Sequence, residues 1–194
     1  MVRAENERPD VAAKLALGPQ IRLHGTIDDA MLKSFLCQLP HAAGTSGPLA
    51  IELTTLGGDA EIGRRIAMEA ILLREQGQRR TIFIGKSAVY SAGATIMGGF
   101  AKADRYLTRD CILLLHCRTI TKTLELQGPL GAVRAQIQQM MSQIEMGVAL
   151  QSEGYARIIE GSEVSMEEVE EKAQRGWYLR AHEALERGLV AGLV

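Results

Sequence analysis

Short continuous apolar runs punctuate this chain. Leu49-Ala50-Ile51-Glu52-Leu53, Thr81-Ile82-Phe83-Ile84 and Cys111-Ile112-Leu113-Leu114-Leu115 lack the in–out alternation of a half-exposed strand. Runs of this kind suit strands covered on both faces. Ile21-Arg22-Leu23-His24 and Arg105-Tyr106-Leu107-Thr108 are shorter candidates. Between them the apolar spacing changes to three and four. Met31, Phe35, Leu36 and Leu39 predict a helix opened by Thr26 as N-cap and ended at Pro40. Ile62, Ile66, Ala70 and Leu73 predict a second, from about Ala60 to Glu75 and closed by Gly77. Val133, Ile137, Met140, Met141, Ile144 and Val148 predict one long helix from Pro129 to Glu160, stopped by Gly161. Ser165 with Glu168 has the form of a capping box, opening a short helix that reaches Arg175. A last helix covers Ala181 to Gly188, with Leu189-Val190 as a terminal strand or tail. Thr119 to Leu126 alternates threonine with other residues and predicts an exposed extended segment or hairpin. Strand and helix thus take turns, which predicts an α/β fold with a parallel sheet.

Composition narrows this further. The chain has 194 residues, enough for one sizeable core. We expect residues 1–18 to be loosely attached and residues 19–194 to form one domain. The net charge is -1, so no global field favours nucleic acid or a membrane surface. No apolar run nears the roughly 18 residues of a membrane span. The first ten residues are polar and of mixed charge, unlike a secretory signal, so the cytoplasm is the expected compartment. Cys37, Cys111 and Cys117 are odd in number and form no CxxC pair, and the four histidines have no metal spacing. Neither a metal nor another cofactor is expected.

The stretch Ala88-Val89-Tyr90-Ser91-Ala92-Gly93-Ala94 carries the chemistry of interest. Ser91 stands where a strand gives way to a helix. There a serine caps the helix, and its oxygen also sits at the positive end of the helix dipole. Two further features follow strands: Gly57-Gly58 and His116. The carboxyl ends of neighbouring parallel strands share one crevice. A serine, a histidine and a glycine pair brought together there have the parts of an acyl-transfer site: an attacking oxygen, a base and close-approaching backbone N–H groups. The G-x-S-x-G elbow of α/β-hydrolases is excluded, because Val89 occupies its first glycine position.

Leu53-Thr54-Thr55-Leu56-Gly57-Gly58, the Ser91 stretch and Leu113-Leu114-Leu115-His116, in that order, resemble the proteolytic subunit of Clp, the ATP-dependent serine protease. The closing segment from Tyr178 to Val190, and Gln127-Gly128 ahead of the long helix, are similar to that family as well. The resemblance implies a Clp protease/crotonase-like spiral of ββα units with a protruding handle helix, here about residues 127–160. It implies Ser91 as nucleophile, His116 as general base, and Gly58 and Ala92 as oxyanion-hole donors. It implies a ring-shaped homo-oligomer, with rings stacked through the handles, that hydrolyses peptides or unfolded protein and docks a Clp ATPase.

Departures from the family pattern are as specific. Lys172 falls where the family has an aspartate, the third catalytic residue. A lysine cannot accept a hydrogen bond from imidazole, and its charge opposes the imidazolium formed on attack. Glu170 is the acid best placed on that helix to substitute; a backbone carbonyl or water could also orient His116. Leu56 and Arg118 replace family prolines, and the connection from His116 to Gln127 is longer. Three readings follow: a serine peptidase subunit with altered or weakened activity, an inactive subunit of similar architecture, and an acyl-CoA enzyme of the related crotonase fold.

Overall fold

The computed structural model describes Lys14 and residues 16–194. Most of the N-terminal segment expected to be loosely attached lies outside these residues. Among them, seven strands form one sheet: β1 (Ile21–His24), β2 (Leu49–Thr55), β3 (Thr81–Tyr90), β4 (Arg105–Leu107), β5 (Ile112–Leu115), β6 (Trp177–Arg180) and β7 (Gly192–Leu193). The helices are α1 (Asp29–Ala43), α2 (Ala60–Glu75), α3 (Ala92–Gly98), α4 (Leu130–Ile159), α5 (Met166–Ala173) and α6 (Ala181–Glu186). The order is β1-β2-β3-β4-β7, all parallel. β5 pairs in parallel with β3 and antiparallel with β6. The α/β architecture expected from the alternation of elements is therefore present, and only the antiparallel β5–β6 pair departs from the parallel sheet expected with it.

β3 organises the sheet by changing partners. Phe83 to Gly85 pair with β4, and Ala88 to Tyr90 pair with β5. The change occurs around Ser87, whose φ of 56° breaks the extended run. Ser87 is held there by its hydroxyl to Asp110 at 3.0 Å and its N–H to Thr108 Oγ1 at 3.3 Å. β2 shifts register over the same stretch, between Leu53 and Thr55. The second half of β3 thus ends beside β5, which brings Ser91 and His116 to the same end of paired strands.

Burial explains why these runs fold as strands. Leu49, Ala50, Ile51, Leu53, Ile82, Phe83 and Ile84 are each 0% exposed, as a sheet covered on both faces requires. Arg105 is the exception among the buried side chains. It is 1% exposed and donates to the carbonyls of Phe100 at 3.0 Å, Ile158 at 2.6 Å and Arg157 at 2.8 Å. Those carbonyls end α4 and follow α3, so one guanidinium ties the long helix to the serine helix. Burial pulls that guanidinium down to about 10.

Several local expectations change. Asp28, not Thr26, caps α1, its carboxylate accepting from Met31 N–H at 2.9 Å. Pro40 lies inside α1, which runs on to Ala43. Residues 116–128 carry neither strand nor helix, so no hairpin forms. The terminal strand is Gly192–Leu193, not Leu189-Val190. Trp177–Arg180 is a strand that the helical reading of the tail passes over. Ser165 caps α5 as its capping-box form predicts, accepting from Glu168 N–H at 3.1 Å. The long helix spans Leu130–Ile159, and only Tyr155 and Ile158 in it are buried.

Candidate active site

Ser91 sits at the joint between β3 and α3 with φ 57° and ψ -117°. A non-glycine residue held there costs of order 1–3 kcal/mol, so its surroundings must fix it. They do: its N–H donates to Leu114 O of β5 at 2.9 Å, and its carbonyl accepts from Ala94 N–H at 2.9 Å. The expectation that its side chain caps α3 is not met, because the hydroxyl makes no capping bond. The strained backbone instead leaves Oγ outside the helix.

Gly57 and Gly58 form the opposing wall. A Cβ on Gly57 would stand 2.9 Å from Ser91 Cβ, and one on Gly58 would stand 2.3 Å from Ile27 O. Both have positive φ, 108° and 148°, so glycine is needed twice over. The N–H of Gly57 donates to Thr55 Oγ1 at 3.0 Å, and that of Asp59 to Ile27 O at 2.7 Å. The Gly58 N–H between them has no hydrogen-bond partner among the described residues, and neither has the Ala92 N–H at the start of α3.

His116 follows β5 directly. Its Nδ1 lies 2.6 Å from Cys117 O. A carbonyl only accepts, so Nδ1 is the donor in this contact, and Nε2 is the ring nitrogen left for other partners. Ser91, His116, Gly58 and Ala92 all line one cavity of about 520 Å³, closed on its far side by α4. The same cavity holds two features that sequence patterns did not single out. Tyr155 of α4 is 5% exposed, and its buried hydroxyl has no hydrogen-bond partner. Burial, and then the neighbouring Cys117 and Glu170, push its phenol up. At the mouth, Glu61 binds both Arg118 and Arg64. Arg118 stood out only as a replaced proline; no spacing rule joins it to Glu61.

The family model for Clp protease matches residues 3–194. The chain belongs to the Clp protease family. The ATP-dependent Clp protease proteolytic subunit of Streptococcus pneumoniae is 26% identical, with 93% of this chain and 87% of that protein covered. Proteolytic subunit 2 of Pseudomonas aeruginosa is 28% identical over 88% of this chain and 78% of its own length. In structure, a ClpP1 mutant from Listeria monocytogenes superposes with a TM-score of 0.62 at 19% identity, covering 95% of both chains. That likeness extends the shared fold over nearly the whole chain.

Lys172, expected from the resemblance at the third catalytic position, lies away from the Ser91 cavity. Lys172 Nζ lies 2.7 Å from Glu168 Oε1 and 4.5 Å from the centre of the Trp177 ring. Glu168 also pairs with Arg187, so the lysine belongs to a charged cluster on α5. Glu170 accepts from Ser152 Oγ at 3.3 Å. Neither Lys172 nor Glu170 lines the cavity, and neither hydrogen-bonds His116. Helical position brings Glu170 to the correct helix, but α4 takes up its carboxylate.

Proposed function

We propose that this chain is a serine peptidase subunit in which the Cys117 carbonyl takes the role usually given to a third side chain. The observation that carries the reading is the convergence on one cavity of Ser91, His116 and two backbone N–H groups without partners. Ser91 Oγ attacks the peptide carbonyl while His116 Nε2 accepts its proton. The Gly58 and Ala92 N–H groups receive the oxyanion, at the positive end of α3. His116 then gives the proton to the leaving amine. Water, deprotonated by the same ring, releases the acyl group from Ser91. A neutral carbonyl fixes the tautomer as an aspartate does, but it stabilises the imidazolium less. The rate is accordingly reduced while the chemistry is unchanged.

The family and α4 support an assembly. Ile137, Met141, Met146 and Val148 are large apolar side chains left exposed on that helix. A second copy covering them fits a ring-shaped homo-oligomer with rings stacked through the helix as a handle. Peptides and unfolded protein are the substrates, and a Clp ATPase is the partner that the relatives' names suggest. Among the described residues no helix is long and apolar enough to cross a membrane, in keeping with a cytoplasmic subunit.

One observation favours a second reading. The resemblance aligns Lys172 with the family's acid, and neither it nor Glu170 reaches His116, which supports an inactive structural subunit. Hydrolysis of fluorogenic peptides by the pure oligomer separates the two. The peptidase reading predicts slow turnover that is lost in Ser91→Ala with assembly unchanged. Equal, background-level turnover in both proteins would establish the inactive subunit.

A further inference from the structure

The cleft does not end at the serine. A second cavity of about 440 Å³ continues along α4, and Glu61 and Arg118 line both. Their ion pair stands at the junction. Glu61 Oε1 lies 2.5 Å from Arg118 Nη2, and its Oε2 lies 2.5 Å from Arg64 Nη1. One carboxylate therefore serves two guanidinium groups. The neighbouring acid, Asp59, is already engaged: it caps α2, accepting from the N–H groups of Glu61 at 2.7 Å and Ile62 at 3.0 Å. The helix terminus answers its charge. With Asp59 turned to the helix terminus, Glu61 is the carboxylate that the two guanidinium groups share.

Arg118 is the better-held cation, whereas the Arg64 side chain is 40% exposed. The Arg118 main-chain N–H donates to Gln151 Oε1 of α4 at 2.7 Å, and its side chain is 24% exposed. The Glu61 side chain is 59% exposed. Burial pushes the Glu61 carboxyl up, but the hydrogen bonds and charges of Arg118 and Arg64 outweigh this and hold it below its ordinary range. It therefore stays ionised near neutrality, and the two guanidinium groups go on sharing it.

Resting on the peptidase reading, we propose that Arg118 and Arg64 form an acid-recognition subsite that takes an Asp or Glu side chain of the bound polypeptide at the junction of the two cavities. A chain lying through both cavities passes this point. An acidic side chain gives each guanidinium its own carboxylate, in the planar geometry that arginine favours. A neutral side chain leaves the two guanidinium groups sharing Glu61. The pair is open to water, so the preference is moderate and screened by salt.

The test uses the full-length Ser91→Ala protein and fluorescent decapeptides in pairs that differ only as Glu or Gln at one position, moved stepwise along the peptide. Binding is read by fluorescence anisotropy. At one position the Glu peptide binds about fivefold tighter at low salt, the effect of one solvent-open ion pair. The preference disappears in Arg118→Gln, checked for folding by its thermal transition, and grows in Glu61→Gln, which frees both guanidinium groups. Three results overturn the subsite: equal affinity at every position, a preference that survives Arg118→Gln, or binding of neither peptide. Peptide cleavage by the Ser91 protein without acid preference would remove the subsite alone. Acid preference with an inert Ser91 would remove the peptidase reading and leave the subsite.

Discussion

The two sides of the cavity are built differently. On the Ser91 side the backbone is overdetermined. Ser91 is held in a strained backbone by β5 and by its own helix, against two glycines that admit no side chain. On the α5 side, Lys172, Glu168 and Glu170 are taken up by other partners, and the His116 ring is held by a main-chain carbonyl. Attacking geometry depends on packing that cannot vary by an atom. Orientation of an imidazole needs one acceptor, which a backbone can supply. On the peptidase reading, the difference separates a wall fixed by packing from a position that the fold does not constrain.

The largest expected effect strikes the rigid side. Gly58→Ala drives a Cβ into the Ile27 backbone at a φ that disfavours side chains. It should lower acylation of Ser91 by more than about 100-fold, the scale of a lost oxyanion donor. The rate of phosphonylation measures this. Next comes the tie beneath it. Arg105→Met leaves three main-chain carbonyls without their buried donor, and should lower unfolding free energy by about 3 kcal/mol in denaturant titration. The other side should be tolerant. Glu170→Ala and Lys172→Ala should each leave the phosphonylation rate within about twofold and stability within about 0.5 kcal/mol, as surface changes do. A large loss in Glu170→Ala would return the third role to a side chain. The smallest effect concerns thiols. Burial, and then Asp110, push the Cys111 thiol up to about 12, whereas Cys37 is exposed. At pH 8 iodoacetamide should modify Cys37 and spare Cys111 in the native protein, by mass spectrometry of peptides.

Much of this was legible because local physics and tertiary structure agree. Unbroken apolar runs gave β2, β3 and β5, whose burial is the reason for their composition. Ser91, His116 and the glycine pair could be read because each follows a strand, and parallel strands end together. Where tertiary contacts decide, the local signals mislead. Thr26 looks like a cap, yet Asp28 has the chain direction to reach Met31 N–H. Pro40 ought to end a helix, yet α1 continues for a further turn. The capping reading of Ser91 fails because its φ, set by β5, turns the hydroxyl away. The Glu61–Arg118 pair spans a sequence distance of 57 residues and leaves no periodic trace. The Cys117 carbonyl has no side-chain signature at all.

The central claim is that Ser91 and His116 form a working pair without a third side chain. Intact-protein and peptide mass spectrometry after treatment with a fluorophosphonate tests it most directly. The account predicts one adduct per chain, on Ser91, absent from Ser91→Ala and strongly slowed in His116→Ala. A folded, assembled protein that takes up no adduct at Ser91, or labels as fast without His116, would contradict it.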